Sequence, residues 1–311
     1  MNKESKLKED MKNLIRESLA KKLGDDFNVT INEVLKTNVK RDGLTILKKG
    51  EYISPTIYLE PYYMRLIQKE DISNILDDII SIYEKAKADN SNTSFDVSLI
   101  NDFNQIKNKL FVRLINKHMN KELLAESPFA CFLDDFAVVP YCIVNMVEDG
   151  IASFRVTNLH LEMWGIESNE LIKIAIANTR ELFGVELQSM RDVLFGMGAM
   201  EDVDLPFPEL FNPPMFVLTN KQKMEGAAVV LFDDVLKEFA KVHGNFYVIF
   251  SSVHEALLIP DDYKLDLENL TSINLEVNET SVDCDEVLGT KAYFYDEEKG
   301  FIKSKIKCIF I

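Results

Sequence analysis

The residues best suited to chemistry lie in two polar stretches between positions 215 and 260. The candidate binding residues are Asn220, Ser251, Ser252, His254 and Glu255. A serine close to a histidine is the pattern of a nucleophile with a general base, and a carboxylate is then needed to orient the base. The sequence therefore marks this region as a candidate site, although it assigns no residue a catalytic role.

Both stretches also have a purely structural interpretation. If residues 250–260 form one strand, Ser252 and His254 share a face while Glu255 points to the other. The alternative is a serine-rich bend in which His254 bonds to backbone. The stretch 219–226 is in turn typical of a polar hairpin, because asparagine tolerates a left-handed backbone and Gly226 permits close approach. Whether the two turns converge is left open.

Several familiar chemistries lack their motifs. The chain contains no GxxxxGK phosphate loop, no GxGxxG and no GxSxG. His254-Glu255 begins like the zinc motif HExxH, but Leu258 stands where the second ligand belongs. His160 and Glu162 are spaced as in the zinc deaminases, yet no PCxxC follows. The sequence predicts neither a metal nor a cofactor.

Charge is distributed unevenly along the chain. The formal net charge is −16, with 51 Asp and Glu against 35 Lys and Arg. Residues 201–300 hold 21 acidic against 7 basic side chains, whereas residues 1–50 hold 8 against 12. An acidic surface repels phosphate backbones, so nucleic-acid binding is disfavoured. The acidity is explained either by simple solubility or by a basic protein partner.

The sequence gives no sign of a membrane segment. No stretch approaches the roughly 18 uncharged apolar residues that span a bilayer. The first residues lack the apolar core of a secretory signal. We therefore expect a cytoplasmic protein that does not bind membranes.

Periodicity predicts an α+β fold. Apolar residues at helical spacing indicate a helix over 3–23, and alternation from Phe27 indicates a strand, with Asp42-Gly43 as a turn after it. Residues 215–260 are predicted as strand, turn, strand, helix, strand, turn, strand. The recurring strand–turn–strand–helix pattern favours an antiparallel sheet with helices on one face.

One segment has the composition of a linker. Residues 87–96, KADNSNTSFD, are polar and rich in asparagine and serine. They suggest an N-terminal α+β region over 1–90 and a C-terminal α+β domain over 97–311, with a single domain as the alternative. A rigid proline-containing connector is predicted over 202–214, and a closing strand over 302–309.

Longer stretches of the chain are similar to a known family. They are ISPTIYLEPYY (53–63), NLHLEMWGI (158–166), FVLTN with GAAVVL (216–231), FAKVHGNFYVIFSSVHEALLIP (239–260) and EVNETSVDCDEVLGTKAYFY (276–295). The chain resembles an uncharacterised domain-of-unknown-function family of clostridial gut bacteria from about residue 25 to 296. Phe250 departs from the proline typical of that family. The resemblance implies no activity.

Two functional hypotheses follow. The first is a non-enzymatic interaction or regulatory protein, which the missing motifs and the charge asymmetry favour. The alternative is a hydrolase or a small-ligand-binding protein that uses the polar turns at 219–226 and 251–255. The sequence favours the first without excluding enzymatic activity, and it leaves the oligomeric state open.

Overall fold

The chain forms two compact units, residues 1–95 and 96–311. The computed structural model describes residues 3–51, 54–91, 97–147, 150–196, 214–261 and 265–302. The linker-like stretch 87–96 spans the point where the units meet in sequence. The division at 90 and 97 into independent domains stays a prediction.

The first unit packs helices on one face of a three-stranded antiparallel sheet. Its elements are α1 (Lys3–Leu23), β1 (Phe27–Leu35), β2 (Lys40–Lys48), β3 (Thr56–Tyr58), α2 (Glu60–Ile67) and α3 (Ile72–Ser91). Ile15 and Leu19 of α1 are fully buried with Leu44 and Ile46 of β2. The helix predicted over 3–23 is therefore confirmed.

The turn predicted at Asp42-Gly43 is wrong. Both residues lie inside β2, where Asp42 pairs with Glu33 of β1. The buried Asp42 carboxylate lies 2.9 Å from the ammonium groups of Lys8 and Lys12, and it accepts a hydrogen bond from the Tyr63 hydroxyl at 3.0 Å. These contacts compensate the charge, and so an aspartate can occupy a buried strand.

The second unit contains two antiparallel sheets that share one core. Its helices are α4 (Phe103–Ile106), α5 (Lys121–Ala125), α6 (Asn158–Trp164), α7 (Ser168–Phe183), α8 (Met190–Gly196), α9 (Asp233–His243) and α10 (Leu267–Ser281). Its strands are β4 (Leu110–Asn116), β5 (Ala130–Phe132), β6 (Phe136–Val147), β7 (Gly150–Arg155), β8 (Glu186–Ser189), β9 (Phe216–Thr219), β10 (Phe246–Ile249), β11 (Ala256–Pro260), β12 (Ala292–Asp296) and β13 (Gly300–Phe301).

The smaller sheet has the order β4-β6-β5, with β7 also paired to β6, and the larger has the order β13-β12-β10-β11-β9-β8. Every strand pair in both sheets is antiparallel. The α+β fold class is thereby confirmed. Phe136 of the smaller sheet and Phe250 at the end of β10 join the sheets through aromatic rings 4.8 Å apart.

Helices cover both faces of the larger sheet, unlike the predicted arrangement on one face. All four residues of β10 are buried. Phe246 packs on Phe239 of α9, whereas Tyr247 and Ile249 pack with Leu270 of α10. Because neighbouring strand residues face opposite sides, a strand that is apolar on both faces needs cover on both.

The strand predicted after the first polar turn is also wrong. Residues Gly226–Leu231 form a 3₁₀ helix that is almost entirely buried. A short apolar run does not distinguish a buried strand from a buried helical turn. Residues 202–213 of the connector predicted over 202–214, and the predicted strand beyond residue 302, lie outside the described residues.

Candidate functional site

Strand pairing brings the two predicted polar turns together. In the register of β9 and β11, Leu218 pairs with Ala256, so the end of β9 lies beside the start of β11. The Thr219 hydroxyl donates to the carbonyl of His254 at 2.7 Å, and the Ala227 amide donates to the carbonyl of Val253 at 3.1 Å. We call residues 219–226 and 251–255 together the turn cluster.

Gly226 lies at the point where the two turns touch. A Cβ atom there would come within 2.1 Å of the Thr219 hydroxyl oxygen and 2.5 Å of the His254 carbonyl oxygen. Real Cβ atoms do not approach other atoms this closely, and the His254 carbonyl belongs to the backbone, which cannot move aside as the end of a flexible side chain can. Close approach of two backbone segments therefore requires glycine here.

Asn220 and Ser252 bond to the backbone of their own turns. The Asn220 side-chain oxygen accepts from the amides of Gln222 and Met224, and its Nδ2 donates to the carbonyl of Met224 at 2.7 Å. The Ser252 hydroxyl oxygen accepts from the His254 amide at 3.0 Å. Asn220 itself is not left-handed; Lys223 and Glu225 adopt positive φ instead.

His254 uses both of its ring nitrogens. Its Nδ1 accepts from the Glu225 amide at 3.2 Å, so this nitrogen carries no proton. Its Nε2 lies 3.2 Å from a carboxylate oxygen of Glu286, to which it donates. The imidazole thus presents no lone pair to the Ser252 hydroxyl, and the pair is not arranged as nucleophile and base.

Glu255 is largely enclosed. Burial raises the pKa of its carboxyl above the usual range, because desolvation disfavours the charged form. The nearby Glu286 carboxylate also raises the pKa, while His254 and the Ser252 hydroxyl lower it. Ser251 is buried, and its carbonyl accepts from the Leu288 amide at 3.0 Å.

A third segment, which the sequence did not associate with the site, crosses the turn cluster. The Val253 amide donates to the carbonyl of Glu286 at 2.9 Å, and Ser252 forms a β-bridge with Val287. Arg113 of β4 also reaches in, 3.1 Å from the Glu225 carboxylate. Arg113 and Glu286 lie far from the turns in sequence, and no spacing rule connects such residues.

A second polar group lies elsewhere in this unit. Asp135 accepts from the Tyr293 hydroxyl at 2.7 Å and from the Lys291 ammonium at 3.2 Å. The His118 Nε2 atom lies 3.2 Å from its other oxygen. Burial raises the pKa of Asp135, but the hydrogen bonds from Tyr293 and Lys291 outweigh burial and hold the pKa below its usual range. We call these four residues the Asp135 group.

The described residues contain neither a metal cluster nor a membrane helix. No three His, Cys, Asp or Glu residues of the described ranges are placed to hold a metal ion. Within the same ranges, no helix has the length and apolar character to cross a bilayer.

The second unit is thus an α+β arrangement of two antiparallel sheets on one shared core, and the turn cluster is an internally bonded polar region where β9 ends and β11 begins. The chain belongs to a family of unknown function, DUF5688, whose model matches residues 8–297. The match covers the turn cluster, the Asp135 group and most of the first unit. No curated protein and no solved structure matches the chain.

Proposed function

We propose that the protein is a non-enzymatic interaction protein that binds a basic partner through the outer surface of α10. The observation that carries this proposal is the charge of the segment 267–290. It holds six acidic residues and no Lys, Arg or His. They are Glu268, Glu276, Glu279, Asp283, Asp285 and Glu286.

The outer surface of α10 carries three of these acidic residues, Glu268, Glu276 and Glu279, together with exposed apolar side chains. Ile273 is 54% exposed and Val277 is 39% exposed, one helical turn apart. Glu276 follows Ile273 by three residues and Glu279 follows Glu276 by three, and both are exposed and form no ion pair with any residue that the structure describes. An apolar strip with unpaired carboxylates is complementary to an amphipathic partner with basic residues.

The turn cluster supports the proposal by holding this segment in place. The bonds of Ser251, Val253 and His254 fix residues 286–288 against the end of β10. On the inner side of α10, Asn274 and Asn278 both donate to the carbonyl of Gly289. A preorganised surface loses less conformational entropy on binding than a mobile one.

The alternative, a hydrolase or small-ligand binder at the turns, has less support. Asn220 and Ser252 bond to backbone, and both nitrogens of His254 are occupied. The cytoplasmic location, the bacterial origin in clostridial gut species and the regulatory role remain part of the proposal.

Fluorescence anisotropy tests the proposal with a labelled amphipathic helix made of leucine and lysine. We expect saturable binding by the full chain that weakens with salt. The double variant Glu276→Lys/Glu279→Lys should lower the affinity about tenfold or more, which corresponds to at least about 1.4 kcal/mol. Ile273→Ser should weaken binding as well.

A matched double variant controls for net charge. Glu170→Lys/Glu181→Lys makes the same charge change on exposed residues of α7 and should keep most of the affinity. Equal losses in the two double variants would mean that only overall charge matters, which contradicts a docking surface on α10.

A further inference from the structure

A surface cavity lies between the end of β4 and α5, apart from both the turn cluster and α10. Its volume is about 310 Å³, and it is lined by Lys117, His118, Lys121, Leu124, Ala125 and Phe129. That volume is at the lower end of small-molecule sites, which begin at roughly 300 Å³. A compact ligand of low molecular mass therefore fits it.

The rim of the cavity is built on a fixed turn. The Asn116 side-chain oxygen accepts from the amides of His118 and Met119, and its Nδ2 donates to the carbonyl of Leu288 at 2.9 Å. The Asn120 Nδ2 donates to the carbonyl of Asn116 at 2.7 Å. Both asparagines are buried, so they hold the backbone that carries Lys117, His118 and Lys121.

The charge of the rim is opposite to that of the chain as a whole. Lys117 and Lys121 form no ion pair with any residue in the described ranges, although the chain carries a net charge of −16. His118 is oriented by Asp135, which bonds its Nε2 and leaves Nδ1 without a hydrogen bond to any described residue. Lys291 and Tyr293 already compensate Asp135. The lysines therefore remain available to an anion.

The walls of the cavity are apolar. Leu124 is 7% exposed, and Ala125 and Phe129 stand beside it. Burying an apolar group against such walls is favourable, and a lysine ammonium contributes a charge-assisted bond to a carboxylate. From size, wall and rim together, we propose that this cavity binds a small amphipathic carboxylate, with its aromatic or aliphatic body against Phe129 and its carboxylate between Lys117 and Lys121.

Isothermal titration of the full chain with 4-phenylbutyrate tests the proposal, and 4-phenylbutanamide serves as the uncharged match. We expect one saturable site for the carboxylate. The amide should bind about tenfold more weakly or worse, because it lacks the charge that the lysines recognise. Equal affinities for the two compounds would overturn the assignment of an anion site, and so would a failure of the carboxylate to bind.

Two variants locate the binding. Lys117→Glu/Lys121→Glu reverses the rim charge, and Ala125→Trp fills the cavity from an exposed helical position. Each should lower the affinity for 4-phenylbutyrate about tenfold or more. The control Lys173→Glu/Lys241→Glu makes the same charge change at exposed positions on α7 and α9 and should bind like wild type.

Circular dichroism on each variant separates lost binding from lost folding. If Lys117→Glu/Lys121→Glu does not fold, Ala125→Trp provides the decisive result. Undiminished affinity in a folded Ala125→Trp variant would place the ligand elsewhere and overturn the proposal. The result does not depend on the α10 surface, which the anisotropy experiment tests with a different probe.

Discussion

The turn cluster and the Asp135 group show two ways in which one unit of this protein uses polar side chains. In the turn cluster, the side chains of Asn220, Ser252 and His254 bond to groups within the cluster or the segment that crosses it. In the Asp135 group, the bonds converge on one carboxylate and turn His118 towards an open cavity. We call the first arrangement closed, because its polar groups are bonded to one another, and the second open, because it borders a cavity.

The difference also appears in the two carboxyl groups. Burial raises the pKa of Glu255, whereas hydrogen bonds from Tyr293 and Lys291 overcome burial and lower the pKa of Asp135. Burial without sufficient donors thus shifts an acid towards its neutral form, whereas three donors shift a buried acid towards its charged form. Proximity of polar residues in sequence is therefore a poor guide to an available site, because near neighbours tend to bond to one another.

The largest loss in the free energy of unfolding should come from Gly226→Ala, which tests how tightly the turn cluster is packed. The new Cβ would overlap the Thr219 hydroxyl and the His254 backbone. We expect a loss of about 3 kcal/mol in the free energy of unfolding, at the upper end of overpacking effects. Urea denaturation measures it. Gly196→Ala is the matched control, since no atom of the described residues lies within 4 Å of its added Cβ, and unchanged stability of Gly226→Ala would disprove close packing.

A smaller loss in the free energy of unfolding should come from Asp135→Asn. The amide keeps the shape of the carboxyl group but loses the charge-assisted bonds of Lys291 and Tyr293, so we expect a loss of about 1–2 kcal/mol at pH 7. Because the folded pKa is lowered, this stability is present above the unfolded pKa of about 4 and disappears as the pH falls through the folded value. Denaturation at pH 7, 5 and 3 should show the gap to wild type closing.

The exposed Asp283 provides the comparison for that series. Asp283→Asn should change the free energy of unfolding by less than about 0.5 kcal/mol at any of these pH values. A gap between wild type and Asp135→Asn that is as large at pH 3 as at pH 7 would show that the charge of Asp135 is not what the group stabilises.

The smallest change in the free energy of unfolding should come from Glu255→Gln, and it should be a gain in stability rather than a loss. A raised folded pKa means that the folded state binds the proton more tightly, so wild-type stability falls as the pH rises from about 4.3 through the folded value. Glutamine resembles the neutral acid. The variant should therefore be about 0.5–1 kcal/mol more stable than wild type at pH 7 and equal to it near pH 4. If the variant is instead less stable than wild type at pH 7, the charged Glu255 carboxylate stabilises the folded state.

Local elements of the fold were predictable because their signals are local. The spacing of Leu14, Ile15 and Leu19 predicts α1, and Gly165 ends α6 in the left-handed conformation that glycine commonly adopts after a helix. Predictions failed where distant residues decide the outcome. Asp42 resembles a turn residue until Lys8 and Lys12 of α1 compensate its charge inside a strand.

The same limit applies to the sites. The sequence located both polar turns, and the pairing of β9 with β11 explains why they meet. It could not locate Glu286 beside His254, nor Tyr293 beside Asp135, because 158 residues separate the latter pair. Such contacts arise from sheet topology, and a single sequence carries no local signal for them.

Amide chemical-shift mapping with 4-phenylbutyrate tests the contrast between the closed cluster and the open cavity most directly. Titration into the full-length ¹⁵N-labelled chain should shift the amides of residues 117–129 in a saturable way. The amides of residues 219–226 and 251–255 should remain unchanged, since their polar groups are already bonded. The largest shifts at 219–226 and 251–255, with none at 117–129, would contradict this account and restore the turns as the binding site.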